Sequence, residues 1–210
     1  MPDLQPDLQK AENYEIQFAP GAVELRQREN STEIELEGYA VHWDKWFDAG
    51  RGFQERFMKG AFTEALKKGD QVLALAHQPG AGIARRSKGT MNIYEDDNGL
   101  KMEAVIDTDD NDAQSAYVKI RRGDIEGLSV GIIVYGEGGV QQWHEDENGN
   151  EFRTIIKVAE LLEISLTSIP AYPDSTVALR SRDEWKHNRN YPAIARTRMA
   201  MRHRELQSTA

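Results

Sequence analysis

Three segments far apart in the chain each set one chemically competent side chain in an otherwise apolar stretch. His77 follows Val72-Leu73-Ala74-Leu75-Ala76, and Ser129 stands inside Gly127-Leu128-Ser129-Val130-Gly131. Glu163 lies in Leu161-Leu162-Glu163-Ile164-Ser165-Leu166, which runs on into Pro170-Ala171-Tyr172-Pro173. A hydroxyl, an imidazole and a carboxylate are the parts of a serine nucleophile, its general base and the group that orients the base. Burying three such groups costs free energy unless they pair with one another, so their common apolar setting points to a single site. The order His, Ser, Glu is not that of the commoner triads, but geometry defines a triad and chain order does not.

Each residue also has a plainer reading. Glycines flanking Ser129 let another backbone, such as a peptide substrate, approach closely, yet a buried serine bonded to a neighbouring carbonyl has the same pattern. A strand-to-helix nucleophile elbow does not fit, because Val130-Gly131-Ile132-Ile133-Val134 continues the strand. His77 alone among the histidines ends an apolar strand. His42 and His144 sit beside tryptophan in polar loops, and His187 and His203 lie in the C-terminal tail. No second histidine or carboxylate lies near His77 at ligand spacing, which argues against a metal site. Glu163 needs a partner if buried, and shares one side of the pleat with Ser165 and Thr167, a pattern an exposed face would also show. Glu160 is the competing carboxylate, on the opposite face of a regular strand.

These residues must be positioned mainly by strands. Tyr14 to Phe18 alternates, and Glu33 to Val41 alternates more cleanly, as a strand with one wet face does. Phe53 to Phe57 reads as a short strand, followed by a short helix opening at Gly60-Ala61-Phe62 and stopping at Gly69. Val72 to Ala76 delivers His77 to a turn at Gln78-Pro79-Gly80. A hairpin of Met91 to Tyr94 with Leu100 to Ile106 turns at Asp96-Asp97-Asn98-Gly99. Thr108 to Arg122 carries helical spacing, basic residues in its last turn and Gly123 as a stop. Gly127 to Tyr135 and Ala159 to Ile169 are strands, and a second hairpin turns at Glu147 to Asn150. About eight strands and two short helices predict a mixed β fold, a closed or nearly closed barrel in one domain over residues 14–179. Strands and helices do not alternate simply, which argues against a doubly wound parallel sheet.

Composition narrows the classes. The chain has 210 residues and no cysteine, which removes disulfides, thiolate metal sites and cysteine nucleophiles. Mean hydropathy is −0.66, the value of a folded core with solvated tails. Residues 1–13 hold two copies of Pro-Asp-Leu-Gln without apolar periodicity and read as disordered. Neither a signal peptide nor a run of about 18 apolar residues occurs, so the protein is expected to be soluble and intracellular. Net charge is −9, unevenly spread. Residues 180–210 carry eight basic against three acidic residues, which leaves the rest strongly acidic. The tail is suited to an acidic partner or to the protein's own body, while the acidic body opposes nucleic-acid binding.

Phe57-Met58-Lys59-Gly60-Ala61-Phe62, the run to His77, Gly127 to Gly131, and Leu162 to Ile169 followed by Pro170-Ala171-Tyr172-Pro173 resemble the prohead (capsid maturation) proteases of tailed bacteriophages in order and spacing. The resemblance covers roughly residues 33–180, and its Gly-Ala-Phe and Glu-Ile-Ser to Pro-Ala-Tyr-Pro segments are the most specific. That family looks like a relative of the herpesvirus assembly proteases, which implies a closed β-barrel surrounded by helices. It also implies Ser129 as nucleophile, His77 as base and Glu163 as third member, without metal or cofactor. Gln78 stands where many relatives have an acidic residue, which leaves Glu163 favoured over Glu160. The implied substrates are the scaffolding region of the major capsid protein and the protease's own ends, cut inside the immature capsid in the host cytoplasm. Self-association fits such assembly, and neither nucleic acid nor membrane is an implied partner. The competing class is a non-enzymatic β-barrel assembly module in which the three polar groups are inert. A nucleic-acid-binding barrel would need basic residues among body aromatics, which Trp43-Asp44-Lys45-Trp46-Phe47-Asp48 does not supply.

Overall fold

The computed structural model describes residues 14–19, 23–27, 31–48, 52–167 and 186. Alternating sequence becomes extended chain at β1 (Tyr14–Ala19), β2 (Val23–Gln27) and β3 (Glu33–His42). In β3 the alternation is read out as burial, with Ile34, Leu36 and Ala40 in the core. β4 (Phe47–Asp48) and β5 (Gln54–Phe57) follow. The helix expected after Gly60 is reduced to turns and one 3-10 turn at Ala65–Lys67. Distant groups claim its backbone: the Phe62 N–H donates to Glu95 Oε1 at 2.9 Å, and the Ala61 carbonyl accepts from Val158 N–H at 2.8 Å. Those bonds hold Ala61 and Phe62 wholly buried and compete with a helical ladder.

Next come β6 (Val72–Leu75), β7 (Ala84–Arg85), β8 (Met91–Glu95) and β9 (Gly99–Asp107). The β8–β9 hairpin forms as expected, its turn closed by Asp96 Oδ1, which accepts from Asn98 N–H at 2.7 Å and Gly99 N–H at 3.0 Å. Only glycine fits at position 99, since a Cβ there would stand 2.0 Å from the Val41 carbonyl oxygen. α1 (Asn111–Arg122) starts three residues later than the sequence pattern suggests, because the Asp110 side chain accepts the N–H groups of Asp112 and Ala113 and so caps it. Left-handed Gly123 ends it. β10 (Gly127–Ile133), β11 (Val140–Glu145), β12 (Glu151–Lys157) and β13 (Glu160–Thr167) complete the described strands. The last two residues expected in β13 lie outside the described residues, as do residues 1–13. Among the described residues, no helix is long and apolar enough to cross a membrane.

The expected closed barrel surrounded by helices is not what forms. The strands make three open sheets, ordered β1-β10-β13-β6-β7, β11-β12-β5-β4 and β2-β3-β9-β8, and α1 is the one α-helix among the described residues. Closure requires the first and last strands of a sheet to return hydrogen bonds to each other. Here two of the sheets end in two-residue strands, β4 and β7, too short to extend a ladder. Inside–outside alternation looks the same in barrels and packed sheets, so the pattern in sequence does not separate them. A core shared by all three sheets replaces closure, with Ile34 and Leu36 from β3, Leu128, Val130 and Ile132 from β10, and Ile155 from β12. The basic tail touches the body at one described point, where Lys186 pairs with Glu151.

A buried ion pair crosses from β12 to β5. Arg153 Nη1 donates to Glu55 Oε2 at 2.7 Å, both side chains are wholly buried, and Arg153 Nε donates to Gln141 Oε1 at 2.6 Å. Removing one partner strands the other charge away from water. Glu55→Ala is therefore expected to lower unfolding free energy by about 3–5 kcal/mol in urea titration; a loss below about 1 kcal/mol would show that water reaches the guanidinium.

Candidate active site

The site is built across β10, β13 and β6. In register, Ser129 lies opposite Ser165, which lies beside Ala74, and Gly131 lies opposite Glu163, which lies beside Val72. Paired residues share a face, so Ser129, Ser165 and Glu163 point to one side of the sheet. Leu128, Val130, Ile164 and Leu166 fill the core from the other side. That polar face is not solvated: Ser129, Ser165 and Glu163 have no exposed surface. Gly131 puts no side chain opposite Glu163, which leaves room for the carboxylate and a ring.

His77 reaches this face through a turn the sequence does not announce. Instead of bending first at Gln78-Pro79-Gly80, the chain folds back at Leu75–Gln78, where Gln78 N–H donates to the Leu75 carbonyl at 2.9 Å. Ala76 and His77 both adopt left-handed backbone, with φ of 46° and 59°, a conformation that costs roughly 1–2 kcal/mol per non-glycine residue. Two bonds to β13 hold it: Ala76 N–H donates to the Leu166 carbonyl at 3.0 Å, and His77 N–H donates to Ser165 Oγ at 3.1 Å. The turn swings the imidazole over β13, where Nδ1 stands 2.5 Å from Glu163 Oε1. With the Glu163 carboxylate as acceptor, Nδ1 is the donor of this bond, which assigns the acceptor role to Nε2 at the other edge of the ring. The second carboxylate oxygen, Oε2, accepts from Ser165 Oγ at 2.5 Å. Ser129 belongs to the next strand, one spacing of about 4.8 Å from Ser165.

The strand geometry also separates the two candidate glutamates. β13 is not regular: the register slips at Gly131/Ile132, leaving Leu162 as an extra residue. Glu160 falls opposite Ile133 and by register shares a face with Glu163 rather than opposing it, but it is exposed. The imidazole bonds Glu163. Of the other histidines, His42 stacks on Tyr39 and His144 on Phe152, away from this face; His187 and His203 lie outside the described residues. Burial and the nearby Lys45 push the His42 pKa down.

The base of the His77 loop is clamped by Asp70, which accepts from the Ser87 hydroxyl at 2.7 Å, Arg85 Nη1 at 2.9 Å and Ser87 N–H at 2.8 Å. These donors, the Ser87 hydroxyl foremost, hold the Asp70 pKa down at about 2. The folded-state value lies below the unfolded value of about 3.9, so the stabilisation is complete above that pH and fades as pH falls through about 2. Asp70→Asn is expected to lower the melting temperature slightly at pH 7 and hardly at all near pH 2; an equal loss at both would show that the carboxylate charge contributes nothing.

Ser165 is the residue that reading the sequence alone missed. Its signal was present, since it follows Glu163 by two residues and so shares its face of the pleat. Among the described residues, no three histidine, aspartate or glutamate side chains gather where they could hold a metal ion. A cavity of about 330 Å³ lined by Arg26, Glu37, Met91 and Glu103 belongs to the β2-β3-β9-β8 sheet and contains none of these site residues.

A family model for the caudovirus prohead serine protease matches residues 21–189, a span that contains β10, β13 and His77. No curated protein sequence matches the chain. The solved structure of the bacteriophage T4 capsid assembly protease, gp21, aligns over 72% of this chain and 97% of that one, at 12% identity and a TM-score of 0.45.

Proposed function

The chain belongs to the caudovirus prohead serine protease family, and from that premise we propose that it is an endopeptidase acting through Ser129, His77 and Glu163 on the scaffolding region of a phage major capsid protein and on itself. The observation that carries this reading is the buried contact of His77 Nδ1 with Glu163 Oε1, 2.5 Å long, beside the strand that bears Ser129. An imidazole held by a carboxylate at Nδ1 has Nε2 basic and aimed by its tether.

In the proposed reaction His77 Nε2 takes the Ser129 hydroxyl proton as Oγ bonds to the scissile carbonyl carbon. Backbone N–H groups stabilise the oxyanion. The C–N bond then breaks, the imidazolium returns its proton to the leaving amine, and water releases the acyl group by the same steps in reverse. Glu163 keeps the ring oriented and stabilises the imidazolium. Because Ser129 has no exposed surface, a peptide reaches Oγ only after whatever covers that face moves aside. Residues 14–179 form the protease domain in this proposal, flanked by an N-terminal tail and a basic C-terminal tail that tethers the enzyme to acidic capsid components inside the immature shell. The ion pair of Lys186 with Glu151 supports a tail that also engages acidic groups on its own body.

The test is co-expression with the cognate major capsid protein, comparing wild type with His77→Ala. Wild type is expected to shorten the capsid protein and itself, and His77→Ala neither. Intact capsid protein beside soluble, folded wild-type chain would favour a non-catalytic assembly role.

A further inference from the structure

We propose that Ser165 is a positioning residue of this site, holding the carboxylate and the base in place through a single hydroxyl; the inference rests on the reading of Ser129, His77 and Glu163 as the catalytic group. A serine hydroxyl has one proton to give and two lone pairs. Here the proton goes to Glu163 Oε2, at 2.5 Å, and a lone pair takes the backbone N–H of His77, at 3.1 Å. Both partners are members of the site, whereas a merely structural serine would bond a nearby carbonyl. Ser165 is also the register partner of Ser129, so it stands at the junction of all three residues. It is not a second nucleophile, because its proton is committed to the carboxylate and not to the imidazole.

Two kinds of freedom are removed. With Oε1 on the imidazole and Oε2 on Ser165, the Glu163 carboxylate plane is fixed, and its direction fixes the ring. The left-handed pair Ala76–His77 persists only if its surroundings over-determine it, and Ser165 supplies one of its two tethers to β13. Without the hydroxyl, the His77 N–H loses its acceptor in a buried setting, the turn relaxes, and the imidazole loses the position that the proposed reaction needs.

Self-cleavage rates of purified wild type, Ser165→Ala, Ser165→Cys and Ser129→Ala test this. Ser165→Ala is expected to stay folded and to cleave on the order of 10²-fold more slowly, the usual cost of a misplacement of about 1 Å at a reacting centre. Ser165→Cys keeps nearly the same volume with a weak donor and should fall between it and wild type, which carries the test if the alanine variant does not fold. A second readout is independent of turnover. In Ser129→Ala protein the far-downfield proton resonance of the His77 Nδ1–H should be visible, and adding Ser165→Ala should shift or broaden it. Wild-type cleavage by the folded Ser165 variants, or an unmoved resonance, with Ser129→Ala inert, overturns the role of Ser165 alone. Normal cleavage by Ser129→Ala overturns both readings.

Discussion

Ser129→Ala is expected to leave a folded protein that cuts neither itself nor co-expressed capsid protein. The substitution removes one oxygen from a wholly buried position in β10, and alanine occupies less space, so the sheet keeps its register. Loss of a serine nucleophile lowers turnover by roughly 10⁴–10⁶-fold, which in a processing gel is complete loss of product. Circular dichroism with a cooperative melt separates loss of chemistry from loss of fold. Processing at the normal rate by this variant would end the serine-protease reading of the site.

Glu163→Gln is the second large effect, and Glu160→Gln is its control. The amide keeps the shape of the carboxylate but has one acceptor oxygen for two donors, His77 Nδ1–H and the Ser165 hydroxyl. One of them must turn away, and the charge that stabilises the imidazolium is gone. Comparable changes to an orienting carboxylate slow acyl transfer by about 10⁴-fold, leaving a residual rate that Ser129→Ala lacks. Glu160 is exposed at the start of β13, so Glu160→Gln should process at nearly the wild-type rate. A time course of self-cleavage for both variants decides the matter. Were Glu160→Gln crippled and Glu163→Gln healthy, the third assignment would fall while Ser129 and His77 stood.

Much of this molecule is written in short-range pattern. Glu33 to Val41 alternates and becomes β3; Asp96-Asp97-Asn98-Gly99 turns because Asp96 can accept from the backbone it precedes; Gly123 stops α1 because it alone there takes left-handed backbone freely. The apolar flanks of Ser129 and Glu163 agree with their burial in the sheet, whereas His77, set between exposed Ala76 and Gln78, is buried only through its turn. Their residue types suggested the chemistry proposed for them before any contact was known.

The tertiary structure decided what depends on partners distant in sequence. His77 and Glu163 are 86 residues apart when their side chains meet, and no local propensity encodes that distance. Ala76–His77 is a poor sequence for a left-handed turn, which forms only because β13 binds both N–H groups. The extra residue at Leu162 moves Glu160 onto the face of Glu163, a change set by pairing with β10 and invisible in the period of β13 alone. Whether the strands close into a barrel rests on which edges find partners, and alternation is silent on that point. Sequence alone thus marked the longer extended segments, their apolar core positions and the chemistry their polar residues could offer. Strand pairing decided which of them touch, because hydrogen bonds between distant strands are specified by the whole chain at once.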